Sequence, residues 1–264
     1  MKHSGSGHHH ATRFLRTTGQ HATILPDTLV EGSFILSIGG AEQSHVNLAD
    51  PADIFYEYLR RIGHVVDLAA APGEPLSVLH LGAGALTLAR YIQATRPGSE
   101  QYAVELEREL LDFVLQKLPL PEGTRLHTHI GDAREALAEL PPQVTFDVVI
   151  LDIFSGPEAP AHIACTGFYE EAAARLRPSG VLIVNVGDEP GLTLVQSQAT
   201  AMRQVMRDVA AFAETGMFSR RYPGNIILVG TRTPWPAEWT TELLARGPHP
   251  ATVLAGVDLD KLSG

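Results

Sequence analysis

Four stretches of the sequence put glycines or an acid at the end of a strand-like run. They are Gly82-Ala83-Gly84 after "SVLHL", Glu105 after "QYAV", Asp132 in "IGDA" and Asp152 after "FDVVIL". Glycines at such a turn let the backbone approach a ligand, and a helix that follows offers it free N–H groups. Glu105, 23 residues after Gly82, is spaced to accept from both hydroxyls of a ribose. Asp132 is placed either to accept from an adenine amino group or to cap a helix opening at Ala133, and one carboxylate can do both. Asp152 ends an apolar run, where a carboxylate is unfavourable without partners or a task. Gly82, Gly84, Glu105, Asp132 and Ala133 thus form a candidate nucleoside set, with Asp152 best placed for chemistry. A dinucleotide fits less well, because its fingerprint wants a small residue where Thr87 stands. An adenosyl sulfonium compound such as S-adenosylmethionine fits better.

These residues need a sheet to line them up. "LSVLHLG", "QYAVEL", "RLHTHIGD", "FDVVILD", "GVLIVNV" and "NIILVG" read as strands. "ALTLARYIQAT", "ERELLDFVLQKL", "AREALAEL", "FYEEAAARL" and "LTLVQSQATAMRQVMRDVA" read as helices between or after them. Such alternation defines an α/β fold, a Rossmann-like doubly wound and largely parallel sheet, and its ligands bind outside the carboxyl ends of the strands. Upstream, "ADPADIFYEYLRRIGHVVDLAA" predicts a helix of about five turns with Asp50 as N-cap and Pro51 at the first helical position. The expected organisation is a flexible leader over 1–21, a small β region over 22–50 and the α/β domain over 51–231. A C-terminal tail with at most a short helix follows over 232–264.

Composition narrows the function classes. A net charge of −10 argues against a protein that tracks nucleic-acid phosphates. A single cysteine, Cys165, excludes an intrachain disulfide and a cysteine-based zinc site and fits a reducing cytoplasm. There is no apolar run of membrane-spanning length and no signal-peptide core. The three consecutive histidines His8, His9 and His10 sit in the expected leader.

At this point the sequence resembles the spermidine synthase family, aminopropyltransferases on a methyltransferase-type sheet. "FDVVILDIFSGPEAPAHIACTGFYEEAAARLRPSGVLIVNV" is similar to the family's aspartate loop, Phe-Tyr helix and Pro-Gly turn. "GAEQSHVNLADPADIFYEY" resembles its gatekeeping segment, with Gln43 and Tyr58 at matching positions, and "RRYPGNIILVG" its late Tyr-Pro element, with Tyr222. The resemblance implies a β-rich N-terminal piece, a seven-stranded sheet and a homodimer. It also implies a decarboxylated S-adenosylmethionine site facing a site for a small amine or polyamine. Glu105 would hold the ribose and Asp132 the adenine, with Gln43 beside the nucleoside. Asp152 would be the base and amine anchor, and Tyr58 and Tyr222 would line the amine channel.

Two of the family's cation-binding acids have no counterpart: Gly84 is followed by Ala85 and Leu86, and the place three residues after Asp152 is Ser155. Glu42, Asp188 and Glu189 are the candidate replacements. An uncharged turn suits the carboxylate of intact S-adenosylmethionine, so three readings stand. They are aminopropyl transfer to an amine, methyl transfer from S-adenosylmethionine, and a non-catalytic nucleoside- or polyamine-binding protein. The histidines His45, His64, His80, His127, His129 and His162 lie on different elements without metal-ligand spacing, so no metal is expected. Cys165 has no evident base partner and reads as structural. Arg60, Arg61, Arg220 and Arg221 read as surface residues, or else as a means of recognising an acidic acceptor.

Overall fold

The computed structural model describes residues 11–153 and 160–263. Strands β1 (Ala11–Phe14), β2 (His21–Pro26), β3 (Ser33–Ile38) and β4 (Ala41–Asn47) form an antiparallel sheet in sequence order. Residues 11–14 fall in the expected leader, yet they pair with β2 from Ala11↔Ile24 to Phe14↔His21. Leu15, just after them, is fully buried and fastens that edge. Residues 1–10, including the histidine run, and Ser155 lie outside the described residues.

Helix α1 spans Glu57–Leu68 and is shorter than its sequence pattern. The Asp50-Pro51 pair starts a turn instead, in which Asp50 Oδ1 accepts from the Ala52 N–H at 3.2 Å. Ile54 still reaches the core, 3 % exposed, without being helical. The breaker after α1 is held by Arg96. Its guanidinium donates to the carbonyls of Asp67, Ala70, Ala71 and Glu74 at 2.8–3.1 Å, taking up orphan acceptors at the helix end.

The larger sheet alternates strands and helices: β5 (Ser77–Leu81), α2 (Thr87–Thr95), β6 (Glu100–Glu105), α3 (Arg108–Lys117), β7 (Arg125–Ile130), α4 (Ala133–Glu139), β8 (Phe146–Leu151), α5 (Thr166–Ala174), β9 (Leu176–Asp188), α6 (Thr193–Arg203), β10 (Asp208–Glu214), β11 (Gly224–Thr231), α7 (Ala237–Arg246) and β12 (Ala251–Ala255). Its order is β12-β10-β11-β9-β8-β5-β6-β7. The five strands from β9 to β7 run parallel, and β11, β10 and β12 add antiparallel. Two features differ from expectation. Helix α6 stops at Arg203, and "DVAAFAE", whose first residues were read as its tail, is strand β10. The C-terminal segment adds β12 as an eighth strand, paired from Ala210↔Ala255 to Glu214↔Ala251.

Alternation along the strands feeds both faces. Leu79, Leu81, Val149 and Leu151 enter one core with α4, α5 and α6, while Val78, Val148 and Ile150 enter a second with α1, α2 and α7. Each such side chain taken fully from water contributes about 1.5–3 kcal/mol. A third cluster joins Leu15, Ile24, Leu36 and Val46 of the small sheet to Ala85, Ala89, Leu110 and Phe113. The small sheet is thereby fixed against α2 and α3, over the carboxyl ends of the parallel strands. Among the described residues, no helix is long and apolar enough to cross a membrane.

Candidate active site

Strand register sets the site. Leu81 pairs with Val104 and Leu151, Glu105 with Ile130, and Leu151 with Val184. The strands therefore end level, and Gly82, Glu105, Asp132, Asp152 and Asn185 fall along one edge. Above them opens a cleft of about 1040 Å³. All nine residues expected in a site line it: Gln43, Tyr58, Gly82, Gly84, Glu105, Asp132, Ala133, Asp152 and Tyr222.

The glycine turn is built by close approach. Gly82 has φ +93°, and a side-chain carbon there would run into the backbone carbonyl of Asp152. Gly84 has φ +50° and faces Ser44 Oγ, which accepts from the Ala85 N–H at 3.4 Å. Leu86 precedes α2 at φ +58°, a left-handed conformation unusual for leucine, and is 2 % exposed in the third apolar cluster. The turn is thus uncharged because Ala85 and Leu86 face the small sheet.

Beside it, Glu105 accepts from the Ala83 N–H at 3.2 Å and the Glu107 N–H at 3.0 Å. Burial pushes its carboxyl up, and these backbone bonds work against the rise. Glu107, 4 % exposed, accepts from the N–H groups of Thr17 and Thr18 at 3.4 and 2.7 Å and so clasps the β1–β2 hairpin to the cleft. Asp132 is the N-cap of α4, accepting from the Arg134 and Glu135 N–H groups at 2.9 and 3.3 Å. Its other oxygen meets His162 Nε2 at 2.7 Å. Burial raises the Asp132 carboxyl, but the His162 and backbone hydrogen bonds outweigh it and hold the group below its ordinary 3.8.

That shift carries a pH dependence. A carboxyl lowered on folding contributes stability above its unfolded value, and the contribution is lost as pH falls through the folded value. The melting-temperature difference between the protein and an Asp132→Asn variant should therefore be full at pH 6 and shrink progressively below about pH 4. A difference that stays constant across that window in differential scanning calorimetry would contradict the account.

On the other side of Asp152 the groups change character. Asn185, 3 % exposed, donates from Nδ2 to Asp152 at 2.8 Å, while its Oδ1 has no partner among the described residues. Asp152 keeps some contact with the cleft yet lies deep enough that burial pushes its carboxyl up, against the pull of Asn185. Tyr58 donates to the Gln43 carbonyl at 3.4 Å, and burial and the nearby Asp152 push its phenol far up. Tyr56 donates to Glu42 at 2.9 Å, and Tyr222 donates to Glu214. Glu42, Glu214, Asn185 and Arg61 also line the cleft.

Arg61 corrects an expectation: it is 3 % exposed, bound to Glu57 at 3.1 Å and to the Pro248 carbonyl at 3.0 Å. Asp188 is used inside the fold, accepting from the Glu189 and Val195 N–H groups at 2.8 and 2.7 Å, and neither it nor Glu189 is part of the cleft wall. Cys165 precedes α5 and stays outside the wall. The six histidines each meet a different partner: His45 Asp27, His64 the Gly247 carbonyl, His80 Gln101, His127 Glu100, His129 Glu139 and His162 Asp132. Among the described residues no group of three or more His, Cys, Asp or Glu is arranged to hold a metal.

Strand order, glycine turn and paired acids define an α/β fold of the methyltransferase type with a nucleoside-sized cleft. Residues 56–233 match the model of the spermine/spermidine synthase domain, and the chain belongs to that family. It is similar to the crystal structure of a probable spermidine synthase from Corynebacterium glutamicum, at 29 % identity and a TM-score of 0.85, covering 96 % of this chain and 94 % of that one. It is 28 % identical over 140 residues to a polyamine aminopropyltransferase of Vibrio vulnificus, covering 52 % of this chain and 46 % of the relative. To one of Chromobacterium violaceum it is 24 % identical over 144 residues, covering 54 % and 53 %. The chain spans about half the length of these two curated relatives.

Proposed function

We propose that the protein transfers an aminopropyl group from decarboxylated S-adenosylmethionine to a small amine. The observation that carries this reading is the place of Asp152. It stands between the Glu105 and Asp132 end of the cleft, suited to a nucleoside, and an end walled by Tyr58, Tyr222 and further carboxylates.

In this reading the ribose lies against Glu105, with Gln43 beside the nucleoside. The adenine lies between Asp132, Ala133 and the loop bearing His162. The Gly82–Gly84 turn admits the sulfonium close to the backbone. An alkyl amine has a pKa near ~10.4, so freeing its lone pair at pH 7 costs about 4–5 kcal/mol. Asp152 takes the proton, and its raised carboxyl makes it a better acceptor than an exposed aspartate. The nitrogen then bonds to the carbon next to sulfur, the C–S bond breaks, and its electron pair stays on sulfur as a neutral thioether nucleoside. Tyr58, protonated throughout, orients the nitrogen.

The decarboxylated donor is favoured over the intact one by the charge of the cleft. Five glutamates and two aspartates line it against one arginine, so the extra carboxylate of S-adenosylmethionine would be repelled. Calorimetric titration with both donors at neutral pH tests this, and the expected result is tighter binding of the decarboxylated form, with mass-spectrometric detection of an aminopropylated amine. Tighter binding of S-adenosylmethionine with methylated product would replace the reading with methyl transfer. Binding without turnover of any amine would leave a nucleoside- or polyamine-binding protein. The same reading implies a cytoplasmic homodimer.

A further inference from the structure

Asp132, the acid at the base end of the cleft, is already engaged on both oxygens. Its Oδ1 accepts from the Arg134 and Glu135 N–H groups, and its Oδ2 faces His162 Nε2 at 2.7 Å. The carboxyl is held below its ordinary value and so is ionised at neutral pH. An ionised carboxylate only accepts, so the proton between the two groups belongs to Nε2. A neutral imidazole carries one N–H, which leaves Nδ1 as an acceptor. Nδ1 has no partner among the described residues. Both side chains line the cleft, and His162 is the more open, 49 % exposed against 28 % for Asp132. A ligand entering this end meets the imidazole first.

The turn that carries the ring is tied down on both sides. The His162 carbonyl accepts from Arg134 Nη1 at 2.9 Å, and the same guanidinium is bonded to Glu171 of α5 at 2.9 and 2.6 Å. The Ile163 and Ala164 N–H groups donate to the Pro160 carbonyl at 3.0 and 3.1 Å. Ile163, 2 % exposed, packs into the core shared by α4 and α5. The backbone of His162 is thereby fixed to two helices, and the bond to Asp132 sets the tautomer and the direction of the ring.

We propose that His162, oriented by Asp132, is the residue that reads the base of the nucleoside: its Nδ1 accepts from the 6-amino group of adenine and rejects a 6-oxo purine. A 6-oxo group would set one lone pair against another and leave the imidazole unpaired, and a site built to accept a hydrogen bond discriminates against an analogue that cannot supply it. Asp132 is then a positioning residue, acting on the base through the imidazole. This assignment rests on the nucleoside end of the aminopropyl-transfer reading.

The test is calorimetric titration at about pH 8, above the ordinary imidazole range, with 5′-methylthioadenosine and 5′-methylthioinosine. The parent protein should bind the adenine nucleoside roughly 10- to 100-fold tighter, the scale of one hydrogen bond left unmade. His162→Ala should bring the two within about threefold, because water entering in front of Asp132 serves either base. Its affinity for the inosine nucleoside should match the parent's, which shows an intact cleft. In Asp132→Asn the amide keeps the helix cap through its oxygen and turns an N–H on Nε2, so the ring proton moves to Nδ1. The preference should then reverse toward the inosine nucleoside, and the double variant should show none. Equal binding by the parent, or an adenine preference kept in His162→Ala or in Asp132→Asn, overturns the proposal. So does tighter adenine binding by His162→Ala, which would make the imidazole a competitor for Asp132. Binding of neither nucleoside overturns the proposal and the aminopropyl-transfer reading together. Aminopropyl transfer is assayed separately, and the expected pattern without transfer would uphold the role of His162 and reject the reaction.

Discussion

An Asp152→Asn variant should lose about 10²- to 10⁴-fold in kcat/KM for aminopropyl transfer, the range a positioned general base supplies. Affinity for 5′-methylthioadenosine should stay within roughly threefold, because the proposed nucleoside contacts, Glu105 and Asp132, are left intact. The amide keeps the size of the carboxyl and can still meet Asn185, so the loss reads as chemistry and not as collapse of the site. The pH profile carries an independent signature. Burial raises the Asp152 carboxyl, so activity should climb with pH through a limb lying above the usual aspartate range, and the variant should lack that limb. For stability the sign is the reverse of that at Asp132. A carboxyl raised on folding favours the native state while protonated, and its contribution falls as pH rises from its unfolded value through the raised one. Steady-state rates of both proteins between pH 5 and 9 provide the check, and a variant with parental kcat/KM would remove Asp152 from the chemistry.

Gly82→Ala is expected to do comparable damage by another route. A left-handed backbone costs a non-glycine residue about 1–3 kcal/mol, and forcing a methyl group into packed atoms adds about the same again. The atoms in the way here are the backbone carbonyl of Asp152 and the Ile153 side chain. Backbone has nowhere cheap to move, so relief must come by shifting the strand end that presents Asp152. The variant should melt several degrees lower by scanning calorimetry and bind nucleoside at least tenfold more weakly. Gly40→Ala is a useful contrast. Gly40 also has positive φ, but nothing lies within 4 Å of its would-be side chain, so only the backbone strain should register. Equal melting temperatures for the two variants would show that close approach at Gly82 has no structural weight.

The sheet edge was legible because Gly82, Glu105 and Asp152 follow apolar runs that become buried strands, while Asp132 follows the polar, solvent-facing edge strand β7 and was marked by its Gly-Asp-Ala turn. Gly82, Glu105, Asp132 and Asp152 are fixed by those signals, and register does the rest. Gln43, Tyr58 and Tyr222 came through resemblance to a family, since their own segments carry little periodic signal. Glu214 was hidden by a false helix: "MRQVMRDVAAFAE" continues the apolar content of α6, and nothing local announces that the chain turns at Gln204 to enter β10. The length of α1 was overstated because Asp50-Pro51 satisfies the start signal of a helix while serving a turn. Strand β4 escaped notice because three of its four buried residues, Ser44, His45 and Asn47, are polar and leave Val46 as its one buried apolar residue, while the His45 carbonyl accepts from Thr87 at 3.1 Å. Asn185 did leave a trace. An asparagine within "GVLIVNV" has to find a partner, and the neighbouring strand offers Asp152.

The clasp of Glu107 on Thr17 and Thr18 ties together stretches nearly a hundred residues apart in the chain. A carboxylate 4 % exposed would be stranded if the hairpin were removed, and Leu15, Thr18 and Gln20 would leave the cleft without one of its sides. The hairpin of β1 and β2 is therefore neither ornament nor handle. The larger sheet by itself would be an unfinished vessel, its cleft open on the side the hairpin closes and the buried Glu107 carboxylate left with nothing to meet it.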